Sequence, residues 1–147
     1  LVLACNEGAV MTVGFGHRYP SVEVWSTSRV DQPWRVDDEG IDAVSDLLHA
    51  AHVAVSDDVP ANEEWHYRPM GTGVTVPWRI ILKLRISTLA GFEGGTKIYV
   101  NTISPAALAA MLLPKLFQAR AAGRIAPMDL GDECEIPRGA LAATWVR

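Results

Sequence analysis

The stretch Trp78-Arg79-Ile80-Ile81-Leu82-Lys83-Leu84-Arg85-Ile86 is the most regular element of the sequence. Every second residue of this stretch is large and apolar, and three of the four residues between them are basic. Side chains of a β-strand alternate between its two faces. The pattern therefore predicts a strand with one face in a core and a cationic second face.

Shorter strands are predicted on either side of this element. Ala9–Phe15 is an apolar run bounded by glycines, and Ser21–Thr27 alternates between apolar and polar residues. A strand over Lys97–Ile103 is predicted after a glycine-rich connection, and one edge strand in the tail from 129 to 147. We expect these strands to form a largely antiparallel sheet.

The first predicted helix begins at Asp37 or Asp38, since either carboxylate can cap its free amides. Its apolar residues recur at three- and four-residue steps and form a single face. They are Ile41, Val44, Leu47, Leu48, Ala51 and Val55.

The second predicted helix begins at Ser104-Pro105, a capping hydroxyl followed by proline at the first helical position, and ends before Gly123. Pro114 lies inside it and predicts a kink or break near Leu113. Its stripe of Leu108, Leu112 and Leu116 is predicted to face the core. Two main helices and an antiparallel sheet give the fold class α+β.

Composition restricts the kind of protein. The 147 residues are 49% apolar with a net charge of −4, which suits one globular domain over 1–147 and excludes disorder. No apolar run reaches the ~20 residues of a membrane span, and no basic excess indicates nucleic-acid binding. Cys5 and Cys134 predict two reduced thiols in a cytoplasmic protein. Because the sequence begins at Leu1, we expect it to belong to a longer chain.

The sequence holds no self-contained catalytic motif, such as His-x-His or Gly-x-Ser-x-Gly. His49 and His52 have a spacing that suits a metal, but no third ligand is evident, which favours a partly exposed helical pair. His17 beside Arg18 suits contact with an anion or an ordinary surface loop.

Three motifs in order resemble a known family. Trp65-His66-x-x-Pro69, then Trp78-Arg79-Ile80, then Gly91-Phe92-Glu93 are similar to the C-terminal repeat of galactose-1-phosphate uridylyltransferase, which has two histidine-triad (HIT)-like repeats. The resemblance extends over residues 9 to 122. It implies a HIT-like domain that is about half of the two-repeat enzyme.

The resemblance implies that the chemistry of this repeat has been lost. In the family the histidine matching His66 binds a structural metal with two further histidines, whose positions fall at Ile81 and Lys83. Neither side chain replaces imidazole as a ligand, so we expect no metal and no other cofactor. The catalytic histidine motif belongs to the first repeat, so we expect no catalytic residue in this chain.

The resemblance still implies that this domain binds a sugar ligand. It implies that Phe92 and Glu93 lie near a hexose, with Glu93 accepting hydrogen bonds from hydroxyls; the alternative is a core Phe92 and a Glu93 that caps a turn. Independently, the cationic strand face predicts a phosphate site with nearby His66 and Arg68. The alternative is a solvated face paired with acidic residues. The basic residues of the strand are Arg79, Lys83 and Arg85, and the candidate acids are Glu63, Glu64 and Glu93.

These observations favour one function and leave an alternative. We expect the sugar-phosphate- or nucleotide-sugar-binding half of a uridylyltransferase-like nucleotidyltransferase, inactive alone and joined to a catalytic repeat in a longer chain or a partner subunit. The alternative is a non-catalytic HIT-like ligand-binding or dimerisation domain. An independent HIT nucleotide hydrolase is disfavoured because His-x-His is missing. We expect a homodimer, with Trp25 and Trp34 as candidate interface residues, and no nucleic-acid or membrane partner.

Overall fold

The computed structural model describes residues 1–88 and 90–135. Its sheet has six strands, and each pair of neighbours is antiparallel, in the spatial order β4-β5-β3-β2-β1-β6. The strands are β1 (Val2–Cys5), β2 (Ala9–Val13), β3 (Ser21–Ser26), β4 (Ala61–His66), β5 (Arg79–Leu84) and β6 (Asp129–Leu130).

The helices are α1 (Asp38–Val55), α2 (Gly91–Thr96) and α3 (Pro105–Ala121), with short 3-10 turns at Pro33–Arg35 and Gly131–Glu133. α1 and α3 pack against each other and against one face of the sheet, where they contact β1, β2 and β3. The α+β class with an antiparallel sheet and two main helices is confirmed. Within the described ranges, no helix is both long and apolar enough to cross a bilayer.

The strand that was most regular in sequence is β5, and its two faces differ as predicted. Trp78, Ile80, Leu82 and Leu84 are at most 4% exposed and belong to the core under the helices. The observed strand ends at Leu84, two residues before the predicted end. Ile86 lies beyond the residues paired with β3 and β4 and is 41% exposed. Ile81, on the opposite face, is also buried.

Both main helices begin where their capping signals stand. Asp37 accepts a hydrogen bond from the Gly40 amide at 2.9 Å, and Ser104 accepts one from the Ala107 amide at 3.2 Å. Most of the predicted apolar positions of α1 are buried, whereas Ile41 is 36% exposed. Leu108, Leu112 and Leu116 of α3 are buried as predicted.

Of the kink or break predicted near Leu113, the break is wrong, because α3 continues through Pro114 to Ala121. Pro114 is exposed, and so is Ala110, the residue whose carbonyl loses its amide partner. A proline in that position costs less than one facing the core. The helix ends just before Gly123, which has a φ of +65° and supplies the predicted stop.

Two strand predictions differ from the structure. Lys97–Ile103 is not a strand: Lys97 has a left-handed φ of 61°, and Ile98 and Val100 are 61% and 58% exposed, with no strand of the described chain beside them. The glycine-rich connection before it contains α2 instead.

The second difference is at the N-terminus, where β1 was not predicted from the sequence. It pairs with β2 on one side and with the two-residue β6 on the other, so β6 is the predicted edge strand. The tail beyond residue 135, including Trp145, lies outside the described residues.

Candidate functional site

The predicted cationic residues lie on the sheet face that points away from α1 and α3. We call this the outer face; it consists of Val10, Thr12, Glu23, Trp25, Glu64, His66, Arg79, Ile81 and Lys83. The strand register sets His66 and Trp25 on either side of Arg79, and Glu64 and Glu23 on either side of Ile81. Two carboxylates therefore flank the middle of β5, between the levels of its two basic residues Arg79 and Lys83.

Lys83 is engaged with a carboxylate of the neighbouring strand. Its Nζ donates to Glu64 Oε1 at 2.6 Å, and Glu64 Oε2 lies 3.3 Å from His66 Nε2. The hydrogen bond from Lys83 is the main reason that the pKa of Glu64 is lower than usual, and His66 adds to it. The cationic face of β5 is thus partly neutralised by Glu64, one of the predicted acidic partners.

The other predicted basic residues are dispersed. Arg68 follows β4 and pairs with Asp31, its Nε 3.0 Å from Oδ2, while its Nη1 donates to the carbonyl of Thr72. Arg85 lies past the end of β5 and is exposed. The structure therefore brings His66, Arg79 and Lys83 onto one face but leaves Arg68 and Arg85 at its margin.

Arg79 is surrounded by residues of β3. Its guanidinium carbon lies 4.3 Å from the centre of the Trp25 ring, and its Nε lies 3.8 Å from Glu23 Oε2. Glu23 is only 6% exposed, and its Oε1 lies 2.5 Å from His17 Nε2. The alternation of Ser21–Thr27 places Glu23 and Trp25 on one face, but the sequence does not contain the strand register that sets them beside Arg79.

Phe92 and Glu93 line a separate cleft of about 310 Å³. Glu93 accepts hydrogen bonds from the amides of Ala90 and Val100 at 2.9 and 3.1 Å, and these two bonds lower its pKa. Phe92 is 60% exposed, so it is not a core residue. Glu93 has the capping role that the sequence offered as an alternative, while both side chains remain at the surface of a cleft.

The loop before β3 connects the outer face with the region of the Phe92 and Glu93 cleft. The guanidinium of Arg18 lies 4.6 Å from the centre of the Tyr99 ring, and Arg18 also lowers the pKa of Glu93 electrostatically. His17, next in sequence, reaches Glu23 on the outer face. The loop thus contacts both the outer face and the segment that follows α2.

The donor set on the outer face does not fit the metal that the family resemblance implies. Lys83, at the position of one imidazole ligand, presents an ammonium to Glu64, and an ammonium repels a cation. Ile81, at the other position, has no donor atom. His49 and His52 gain no third ligand either, since the described ranges hold no group of three metal-binding side chains, and His52 contacts Glu63 at 2.7 Å.

Comparison with solved structures shows a uridylyltransferase-like fold. An ADP-glucose phosphorylase from Arabidopsis thaliana with bound ADP-glucose superposes with a TM-score of 0.69 at 21% identity, over 76% of this chain and 39% of that one. A GalT-like protein from the same plant gives 0.67 at 20% identity, over 76% and 40%. A uridylyltransferase gives 0.66 at 17%, over 80% and 41%. The matching region is thus less than half of each of these chains.

Sequence comparisons give one result. A family model described as "Domain of unknown function (DUF4921)" matches residues 1–143. No curated protein matches the sequence.

Proposed function

Since this chain belongs to the DUF4921 family and has a uridylyltransferase-like fold, we propose that it is the sugar-phosphate- or nucleotide-sugar-binding half of a uridylyltransferase-like nucleotidyltransferase. The catalytic histidine motif is supplied by another repeat, in a longer chain or in a partner subunit. We place this protein in the cytoplasm, in keeping with its two free cysteines.

The observation that carries the proposal is the cleft at Phe92 and Glu93. An exposed aromatic ring beside a carboxylate provides an apolar surface for the carbons of a sugar ring and an acceptor for its hydroxyls. Each oxygen of Glu93 accepts one amide, and a carboxylate oxygen has a second lone pair for a ligand hydroxyl. We assign the phosphate to the basic residues of the outer face and its margin, with His66 beside them as a hydrogen-bonding group. These basic residues are Arg68, Arg79, Lys83 and Arg85.

Calorimetric titration with glucose 1-phosphate and galactose 1-phosphate tests this proposal. Phe92→Ala is expected to weaken binding several-fold, and Lys83→Ala and Arg85→Ala are expected to weaken it through the phosphate. Ile98→Ala is the matched control, because Ile98 is equally exposed in the same segment but lies outside the cleft. Affinity that is unchanged in Phe92→Ala and both cation variants would contradict the proposal.

Intact mass after incubation with a nucleotide sugar tests where the catalytic group resides. We expect no mass increase, because the nucleophile belongs to the other repeat. A covalent nucleotidyl adduct on this chain would show instead that it carries its own nucleophile.

One observation favours the alternative, a non-catalytic dimerisation domain. Trp34 and Tyr67 are 59% and 42% exposed and pack edge to face, with ring centres 5.1 Å apart, beside the edge strand β4. Exposed aromatic pairs of this kind are common in subunit interfaces. Light scattering of the wild type and Trp34→Ala tests it: a dimer that dissociates in the variant favours this interface, and an unchanged mass excludes it.

A further inference from the structure

Cys5 and Cys134 lie next to each other, although they come from opposite ends of the described chain. Cys5 is the last residue of β1, and its Cα is the pairing partner of Asp129 in β6. The Sγ of Cys134 donates to the carbonyl oxygen of the same Asp129 at 3.3 Å. Both cysteines are therefore placed at one residue of the edge strand β6, and their thiols hydrogen-bond with each other.

The backbone around Cys134 is held by its own set of hydrogen bonds. Cys134 follows the second 3-10 turn, and its amide donates to the carbonyl of Gly131 at 3.1 Å. Within that turn, Glu133 accepts hydrogen bonds from the Arg120 side chain and from a backbone amide of β6. The turn also contacts β1. These contacts fix Cys134 beside the end of β1.

The two thiols differ in their access to solvent. Cys5 is 9% exposed, whereas Cys134 is partly exposed. A dissolved reagent therefore reaches Cys134 first, and Cys5 is positioned to attack a sulfur that has become bonded to Cys134. An accessible cysteine with a second cysteine in contact is the arrangement found where a disulfide forms and breaks reversibly.

We propose that Cys5 and Cys134 form a reversible intramolecular disulfide by exchange with a low-molecular-weight disulfide such as oxidised glutathione. In the first step the Cys134 thiolate attacks one sulfur of oxidised glutathione, which gives a mixed disulfide and releases one glutathione thiolate. In the second step the Cys5 thiolate attacks the sulfur of Cys134 and releases the second glutathione. Two protein thiols are oxidised, and oxidised glutathione is reduced to two thiols that take up the two protons.

The first step is slow in the native protein. Burial, the contact with Cys5 and the carboxylates of Asp129 and Glu133 all raise the pKa of the Cys134 thiol. Only the thiolate attacks a disulfide, so the reactive fraction of Cys134 is small at neutral pH. A small thiolate fraction lowers the rate of exchange but leaves the final disulfide accessible on incubation for hours.

The disulfide would stabilise the shortest strand pairing of the described sheet. β6 has two residues and pairs with β1 through Ala4 and Cys5 alone. The new bond closes a loop of about 130 residues, and the chain entropy removed from the unfolded state increases with loop length. We therefore expect the melting temperature of the oxidised protein to exceed that of the reduced protein by about 5–15 °C.

Incubation of the 147-residue chain with oxidised glutathione, followed by acid quenching, alkylation of the unfolded chain and mass measurement, tests the inference. The expected product is a monomer about 2 Da lighter than the reduced chain, with no alkylated thiol and with Cys5 linked to Cys134 in its peptide map. Dithiothreitol should restore both thiols and the lower melting temperature. A chain that keeps both thiols, stops at the mixed disulfide or forms only dimers linked through Cys134 overturns the inference.

Single variants test the role of each cysteine. Cys5→Ala lacks the second step, so one glutathione should remain bound to Cys134. In Cys134→Ala only the buried Cys5 remains, and we expect at least about tenfold less glutathione adduct in the same time. This variant is also the control for stability, because oxidised glutathione should not change its melting temperature. Equal adduct on the two variants would overturn the assignment of Cys134 as the residue that reacts first. Circular dichroism confirms that each variant is folded.

Discussion

The ammonium of Lys83 on β5 lies 2.6 Å from the carboxylate of Glu64 on β4, and this ion pair connects the two strands on the outer face. The family resemblance implies an imidazole metal ligand at the position of Lys83. In this chain an ion pair connects the two neighbouring strands at that position. His66, at 3.3 Å from the same carboxylate, remains part of the connection.

We expect this ion pair to contribute modestly to stability. Lys83 and Glu64 are 22% and 41% exposed in their side chains, and partly exposed pairs typically contribute about 0.2–1 kcal/mol. A double-mutant cycle of Lys83→Met and Glu64→Gln, measured by urea unfolding at pH 7, should give a coupling of that size. Because the pKa of Glu64 is lowered on folding, the contribution is present above the pKa of the unfolded chain and is lost as pH falls through the folded pKa. A coupling of zero at pH 7 would contradict the prediction.

Gly14→Ala is expected to destabilise the fold by about 1–3 kcal/mol, the usual cost of overpacking. The added methyl group would meet Ser21 Oγ at 2.3 Å and displace His17 from Glu23. Gly73→Ala is the matched control, since no atom lies within 4 Å of its added carbon. Denaturant unfolding should show a loss for the first variant and none for the second; equal stabilities would argue against close packing at Gly14.

Acid should weaken the connection between α3 and the segment after β6. Arg120 donates two hydrogen bonds to Glu133, which with the Leu130 amide lower the pKa of Glu133 to about 2. A lowered folded pKa stabilises the native state above the unfolded value of 4.5, and this contribution disappears as pH falls toward 2.

The measurement is the melting temperature between pH 5 and about pH 2, at which the Glu133 carboxylate takes up its proton. The wild type should lose more stability over this range than Glu133→Gln, which has no proton to take up. If both proteins lose the same melting temperature between pH 5 and about pH 2, the ion pair of Arg120 and Glu133 does not make the fold more sensitive to acid. NMR titration of the Glu133 side chain would give its pKa directly.

Cys134 should react slowly with alkylating agents in the native protein. Burial and a hydrogen bond with Cys5 raise the pKa of its thiol, and its Sγ donates to the carbonyl of Asp129 at 3.3 Å. Only the thiolate is the nucleophile, so a raised pKa leaves little of it at pH 8. Peptide mapping after iodoacetamide treatment, native against urea-unfolded, measures the difference, and equal rates in both states would contradict it.

The sequence predicted the elements whose signals are local. β5 follows from its strict alternation, and α1 and α3 follow from Asp37 and Ser104, because a cap and the first helical turn lie within a few residues of each other. Lys97–Ile103 misled the prediction, because an apolar run forms a strand only where another strand offers its free amides and carbonyls. β1 was missed because its four residues carry too short a pattern of their own; they become a strand by pairing with neighbouring β2 and with distant β6.

The candidate site was predictable as a set of residues but not as an arrangement. The basic character of β5 was evident, whereas the proximity of Arg79 to Glu23 depends on the register between β3 and β5. Nothing within either strand specifies which residues of the other lie opposite. The imidazole of His17 over Gly14 likewise depends on a loop conformation that no sequence period encodes.

Glu93 accepts hydrogen bonds from two backbone amides ten residues apart, those of Ala90 and Val100, on either side of α2. α2 has no buried residue, so hydrogen bonds such as these, rather than packing, hold the segment together. A sugar that donates a hydrogen bond to Glu93 would therefore bind the same carboxylate that connects Ala90 with Val100. Hydrogen exchange at the amides of Ala90 and Val100 would then report occupancy of the cleft: the protein would signal its ligand through the protection of two backbone protons.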